Sequence, residues 1–498
     1  MIRTLKNKHL PIGITEKRNA LGRSTGYTYA KNGTVQQAVT TGYGSDGRIN
    51  SAGFLHGGAA KQFSYEYMAG THLLEKLTIP NNMSLTQSYE IQRDLLTGMA
   101  YHRGTTLVAN RQYSYDNLGR PTVRNTSRQG TVKNDTFGYN NRSELTSATV
   151  NGSNYAYDYD NIGNRETATE SEITTSYTAN ELNQYTTVGD FTPTFDADGN
   201  QTLVKTSTGI WSVTYDAENR PVSFTNTESN TIIECAYDHM GRRAIKKVTV
   251  NGSITLHQRY LYRGYLQIAC CDLTRSNHPC LWHITWDPTQ PVATRPLTIQ
   301  KDGTWYTYGW DLTKNICELY TNSGSIRTSY TYSPYGSVTE SGNTWQPIQW
   351  SSEYKDEELG LMYYNYRYYN PTDGKWITRD PIPIKTNIRQ YTYANNSSIM
   401  SFDVRGLYIS LSDHSISSCE LSHLKDRCYE TCGKDRLQCD RGVLRDIYTI
   451  CIKEGDLLLH AHCLLIAYAY SGMVLILGSD FYEAGQDEGC EWQTCVEQ

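Results

Sequence analysis

"YDNLGR" (residues 115–120) returns along the chain as "YNNRSEL" from Tyr139, "YDNIGNR" from Tyr159 and "YTANELNQY" from Tyr177. It continues as "FDADGNQ" from Phe195, "YDAENR" from Tyr215 and "YDHMGRR" from Tyr237. Successive copies begin 24, 20, 18, 18, 20 and 22 residues apart, a period of roughly twenty that marks an array of stacked units. Fainter copies precede them at Tyr29, Tyr65 and Tyr89. Alternation such as "YSYD" or "YAYDYD" sets tyrosines at i and i+2 on one face of a strand. The following Asp-x-x-Gly-Asn/Arg makes a turn, because Asp and Asn bond the local backbone and Gly takes positive φ. A second strand such as "RPVSFTNT" then returns. A lone hairpin is marginal in water, so the units must stack on one another.

Bulk composition agrees. The chain has 498 residues, of which 40 are Tyr, 39 Gly and only 14 Pro, with 19% charged and a net charge of −5. Disorder needs more charge and fewer aromatics, whereas Tyr, Thr and Val with Asn-Gly and Asp-Gly pairs point to strands and tight turns. The charge balance offers no footprint for nucleic acid, and no metal or cofactor is expected. The first nineteen residues, "MIRTLKNKHLPIGITEKRN", hold no apolar core segment, so no secretory signal is readable. Export to the surface or medium would then follow a non-classical route, unless the chain is a piece of something longer.

A second signature lies downstream. "YTYSPYGSVTESG" (residues 330–342) is followed by "ELGLMYYNYRYYNPTDGKWITRDPI" from Glu358 and "QYTYANNSSIMSFDVRGL" from Gln390. With the repeats, this ordered run resembles the RHS/YD-repeat family and its RHS-repeat-associated core over roughly residues 25–407. The resemblance implies a mainly β fold. Antiparallel hairpin repeats spiral into a hollow shell, and the core curls inward as a plug. The tyrosines at 363, 364, 366, 368 and 369 would wall that shell without a conventional dense core, each ring packing while its hydroxyl reaches a polar neighbour. A sugar-binding platform is the alternative use of such rings.

The resemblance also implies self-cleavage after the Asp-x-x-Gly-Leu motif, here between Leu407 and Tyr408. Such chemistry needs two carboxylates near one peptide bond, one to activate water and one to protonate the leaving nitrogen. Asp380 and Asp403 are the candidates, with Arg379 as the cation that keeps one ionised. Each also has a plain turn-forming reading. Val404 stands where the family usually has proline, which implies a less rigidly presented bond.

Composition breaks at the same bond. From residue 408 onward there are 7 Lys+Arg against 15 Asp+Glu, −8 against +3 for the rest, and eight of the 13 cysteines. These are Cys419, Cys428, Cys432, Cys439, Cys451, Cys463, Cys490 and Cys495. Helical spacing around Cys428 and Cys432 predicts a small, mostly α-helical module stapled by disulfides of undetermined connectivity. Zinc binding and a Cys-His pair with His460 or His462 are alternatives, and residues 457–477 are long enough to span a bilayer.

The expected organisation is a repeat shell over residues 1–260, its continuation with a variable insertion over 261–329, the core over 330–407 and a variable tip over 408–498. The expected function is a shell that encloses and presents its own C-terminal polypeptide for delivery or intercellular competition. Expected partners are that cargo, a shell-closing subunit or N-terminal segment, and an immunity protein. A non-cleaving adhesion or carbohydrate-binding protein and a truncated remnant are the competing readings.

Overall fold

A computed structural model of the chain describes residues 12–289, 295–381 and 389–411. The chain divides into two compact units, residues 1–412 and 413–498, and the described residues all belong to the first. There, antiparallel strands follow one another in strict chain order. Sixteen, from Ile12–Arg18 to Tyr185–Val188, form one sheet, and fourteen, from Thr194–Phe195 to Val338–Gly342, form the next. A four-stranded sheet over Tyr354–Asp356, Leu361–Tyr364, Arg367–Asn370 and Lys375–Trp376 follows, then a hairpin of Ser401–Val404 and Tyr408–Leu411. The fold is the expected antiparallel β-shell. The Cys-rich module and the candidate span at 457–477 lie outside the described residues. Among the described residues no helix is long and apolar enough to cross a membrane.

Each repeat is built around its tyrosine, which Asp follows at Tyr115, Tyr159, Tyr215 and Tyr237. A register shift, one residue in excess on one strand, falls at Tyr43, Tyr67, Tyr89, Tyr139, Tyr159, Tyr215 and Tyr237. The extra residue lies on the following strand, as Thr146 does opposite Gly138 and Tyr139, and such a bulge re-aims the side chains beside it. The freed hydroxyl donates to a carbonyl in the preceding repeat: Tyr43 to Ser24, Tyr67 to Ile49, Tyr115 to Leu96, Tyr139 to Pro121, Tyr159 to Leu145 and Tyr237 to Pro221, all at 2.6–2.8 Å. The Asp that follows caps the turn. Asp116 Oδ1 accepts the N–H of Leu118 (2.9 Å) and of Arg120 (3.0 Å), while Gly119 sits at φ +75°. Arg120 then joins two repeats, donating to Asp116 Oδ2 at 2.7 Å and to Asn140 O at 3.0 Å and lying over the Tyr139 ring at 5.0 Å. Arg23 over Tyr43, Arg48 over Tyr67 and Arg220 over Tyr237 repeat the device.

This geometry moves some of the repeat positions. Tyr43 and Tyr67, rather than Tyr29 and Tyr65, hold the structural role in the early repeats. In the unit aligned at Tyr177 the bulge falls at Ala179 and Asn180 caps the turn.

The two large sheets pack on each other with matched polar contacts. Tyr65 donates to Asp287 (3.0 Å), Tyr101 accepts from Trp310 N–H (3.0 Å) and Tyr113 from Leu312 N–H (3.1 Å). Glu318, fully buried, pairs with Arg111 and, at 2.6 Å, with Arg128. Burial opposes its charge, yet the two guanidiniums hold its carboxyl below the usual range. The four-stranded sheet is locked to the second large sheet by Asp356, which pairs with Arg243 and Lys246 where none of the three is exposed. Tyr363 accepts Arg243 N–H at 2.6 Å, and the guanidinium faces the rings of Tyr260, Tyr354, Tyr363 and Tyr368.

The expectation of rings without a dense core is corrected here. Tyr363, Tyr364, Tyr368, Tyr369, Trp350, Trp376 and Tyr393 join Trp305 and Trp310 in one continuous buried cluster. A cavity of about 10 Å³ beside Tyr113, Arg124, Asp311 and Asn315 has room for about one water at most.

Asp356→Ala, which leaves buried Arg243 without its carboxylate and Lys246 with Glu358 alone, is expected to cost about 3–5 kcal/mol, against about 1 kcal/mol for Tyr139→Phe, which removes one hydrogen bond. Guanidinium unfolding midpoints of the two variants check the order. Asp116, Asp216 and Asp238 give a pH prediction. Partial burial opposes their ionisation, but hydrogen bonds and ion pairs with Arg120, Arg220 and Arg242 hold them below 3.8. Folded values below unfolded ones mean stability present above that pH and lost beneath it. The unfolding midpoint should therefore fall on acidification past about pH 4.

Candidate autocleavage site

The Ser401–Val404 and Tyr408–Leu411 hairpin pairs Val404 with Tyr408, so residues 405–407 form its turn. Arg405 and Gly406 both take positive φ, +64° and +74°, and Leu407 N–H returns to Val404 O at 3.2 Å. A Cβ at position 406 would meet Arg367 and Tyr364 at 3.1–3.3 Å, so the glycine serves both conformation and space. The turn is fastened from outside: Tyr366 N–H donates to Arg405 O at 3.3 Å, and the Arg405 guanidinium lies over Tyr265 at 4.4 Å. Val404, in the place of the family's proline, is buried and held by strand pairing.

Two of the carboxylates singled out by sequence meet here across one cation. Arg367, 3% exposed, sends Nη2 to Asp403 Oδ2 at 3.0 Å and Nη1 to Asp380 Oδ2 at 3.3 Å. Its Nε donates to Gly406 O at 2.6 Å, and its plane covers Trp376 at 4.1 Å. A planar fork of fixed donors suits this task, and a point-like ammonium would not reach all three acceptors. Asp403 Oδ1 accepts Leu407 N–H at 2.9 Å, next to the Leu407–Tyr408 bond. Burial pushes the Asp403 carboxyl up to about 7; Arg367 opposes this and the charge of Asp380 adds to it. Glu353 nearby is raised to about 8, chiefly by burial, with Asp403 contributing.

Arg379 is placed elsewhere: its Nε donates to Asp198 O at 2.7 Å. Arg367 is the cation that sequence reasoning passed over. Its signal was present, a single Arg among the tyrosines of "YYNYRYY", though adjacency to Asp380 made Arg379 the nearer choice. The eight tail cysteines, Cys419 to Cys495, lie outside the described residues, as does the Tyr408 side chain.

Comparison with known proteins bears on the shell, and the matching family model ends before the Asp403 turn. The Teneurin YD-shell family model matches residues 53–399. The toxin protein Tse5 of Pseudomonas aeruginosa is 41% identical over 66 residues, 13% of this chain and 5% of that protein. The tRNA3(Ser)-specific nuclease WapA of Bacillus spizizenii is 26% identical over 181 residues, 35% and 7% of the two chains. Among solved structures, the TcdB2-TccC3-Cdc42 crystal structure superposes with a TM-score of 0.67 at 19% identity, covering 80% of this chain and 22% of that one. The Photorhabdus luminescens Tc holotoxin pore gives 0.68 at 18%, covering 81% and 21%. The chain thus spans under a tenth of these two relatives' length and about a fifth of the two solved chains.

Arg367→Met should leave Asp380 and Asp403 without their shared partner. Unfolding midpoints should show a loss of about 3–5 kcal/mol, and carboxyl titration followed by NMR should show Asp403 moving above its present value of about 7.

Proposed function

The chain belongs to the Teneurin YD-shell family, and from that premise we propose that it is a toxin-delivery shell. It encloses and presents its own C-terminal polypeptide, cut free between Leu407 and Tyr408. The observation that carries the reading is the Asp380–Arg367–Asp403 group, its Arg367 and Asp403 buried, gripping the turn beside that bond. Raised to about 7, Asp403 holds a proton near neutrality and is the acid for the Tyr408 nitrogen. Asp380, on the other arm of Arg367, is the base that takes a proton from the attacking water. Water adds to the Leu407 carbonyl carbon, the C–N bond breaks, and Tyr408 leaves as a free amine. Arg367, bonded to Gly406 O, positions the chain one residue before the cut.

In this reading residues 1–260 are repeat shell, 261–329 its continuation, 330–407 the plug and protease, and 408–498 the cargo. The toxin relatives support cargo of a toxic kind, carried to the surface or outside, with an immunity protein in the producing cell and a further segment or subunit completing the shell. The tail's own reaction is unassigned.

Intact mass spectrometry of the denatured full-length chain tests the proposal. Wild type should yield a fragment beginning at Tyr408, Asp380→Asn and Asp403→Asn should stay whole, and Arg379→Ala should still be cut. Cleavage should slow as pH rises through about 7, where Asp403 gives up its proton. A wild-type chain that stays whole overturns the autoprotease and favours an uncut adhesive shell.

A further inference from the structure

Strands Leu266–Asp272 and Cys280–Trp286 pair with Cys271 opposite Cys280. Asp272 N–H donates to Pro279 O at 2.9 Å. That makes 272 and 279 the hydrogen-bonded pair, leaving the two cysteines as a non-hydrogen-bonded pair, in which side chains stand closer and Cα atoms lie about 4.5 Å apart. A disulfide accepts Cα separations of about 4.4–6.8 Å. Both residues are free thiols with sulfurs 3.3 Å apart, close enough to bring a disulfide within reach.

Their surroundings are unequal. Cys271 is fully buried, while Cys280 is partly exposed. The Tyr29 hydroxyl lies 2.9 Å from Cys280 Sγ and 3.8 Å from Cys271 Sγ. The hydrogen bond from Cys271 first, then that from Tyr29 and the charge of Lys31, outweigh burial and bring the Cys280 thiol down to about 6, while Cys271 is pushed up. Thiolate character, exposure and a resolving partner are the attributes of an exchange cysteine. The other described cysteines lack them: Cys235, Cys270 and Cys317 are buried, with thiols raised by burial.

The pair also sits on a seam. Tyr29 and Lys31 belong to the strand Ser24–Lys31 of the first large sheet, and Lys31 Nζ donates to Asn277 O (2.6 Å) and to His278 O in the loop between the cysteines. That loop is where the first sheet's opening strands dock on the second.

We propose that Cys271 and Cys280 form a thiol–disulfide exchange site for low-molecular-weight disulfides, which in oxidising surroundings closes the loop of residues 272–279 on which Lys31 docks and in reducing ones frees it. The Cys280 thiolate attacks one sulfur of the small disulfide, forming a mixed disulfide and expelling one thiolate, which takes up the proton Cys280 lost. Cys271 then attacks Cys280 Sγ, giving its proton to the second departing thiolate as the protein disulfide closes. Two protein thiols are oxidised, and one small disulfide is reduced to two thiols.

The test uses the reduced full-length chain with oxidised glutathione, acid quenching, alkylation of remaining thiols and peptide mapping. The expected wild-type product yields a Cys271–Cys280 linked peptide two hydrogens lighter than the reduced pair, and dithiothreitol reverses it. Cys271→Ser should accumulate glutathione on Cys280, Cys280→Ser should gain none at Cys271, and Tyr29→Phe should slow adduct formation several-fold. Hydrogen exchange over Ser24–Lys31 should slow on oxidation. No linked peptide in wild type, a link from either residue to a tail cysteine instead, or equal adducts on both single variants overturns the exchange site. Unchanged hydrogen exchange overturns its role at the seam.

Discussion

One hydroxyl-to-carbonyl contact sets the rest of the shell. At the end of a strand a bulge swings the repeat's tyrosine out of the pleat, and its O–H closes on a carbonyl of the preceding repeat, as Tyr139 does on Pro121 O at 2.8 Å. A sheet in chain order has ladder bonds between neighbouring strands but nothing to align its turns. The tyrosine provides that alignment, the Asp satisfies the turn's N–H groups, and the Arg carries the link to the next turn's carbonyl. The three residue types are therefore interdependent. A repeat deprived of its tyrosine loses a packing ring as well as the donor that places its neighbour.

Because alignment is supplied at the turns, the strand faces are free to specialise. Where the sheets and the plug meet, that freedom goes into buried charge. Glu318 holds Arg111 and Arg128 across the two sheets, and Asp356 holds Arg243 and Lys246 between plug and sheet. Buried ion pairs contribute little net stability, since desolvation takes back most of the attraction. They do discriminate strongly against misplacement, because a strand slipped by one residue would bury a charge without its partner. The aromatic stacks around Arg243 tolerate small shifts, and the ion pairs do not.

The same logic reaches the candidate site. Arg367 is both a core residue over Trp376 and the cation shared by Asp380 and Asp403, so the plug must be folded before the two carboxylates can meet. Under the proposed function, cleavage would wait on assembly of the shell's interior. Asp403 keeps its proton up to about 7 because its surroundings are dry and a second carboxylate is close, despite the guanidinium between them.

Sequence alone determined the antiparallel repeat architecture, since Tyr-Asp-x-x-Gly every twenty or so residues is local chemistry: a strand end, a turn cap and a positive φ are each written in adjacent residues. It also marked Asp380 and Asp403. It misplaced the early repeats at Tyr29 and Tyr65, because interior-facing and bulged tyrosines look alike until the register is known. It chose Arg379 over Arg367 for the same kind of reason, taking adjacency in the chain for adjacency in space. Only the tertiary structure decided that Arg367 meets both carboxylates, that Cys271 faces Cys280, and that four of the five rings of "YYNYRYY" enter a dense core. Each of these depends on pairing between segments that local propensity does not encode, and long-range register is settled by which buried groups find partners.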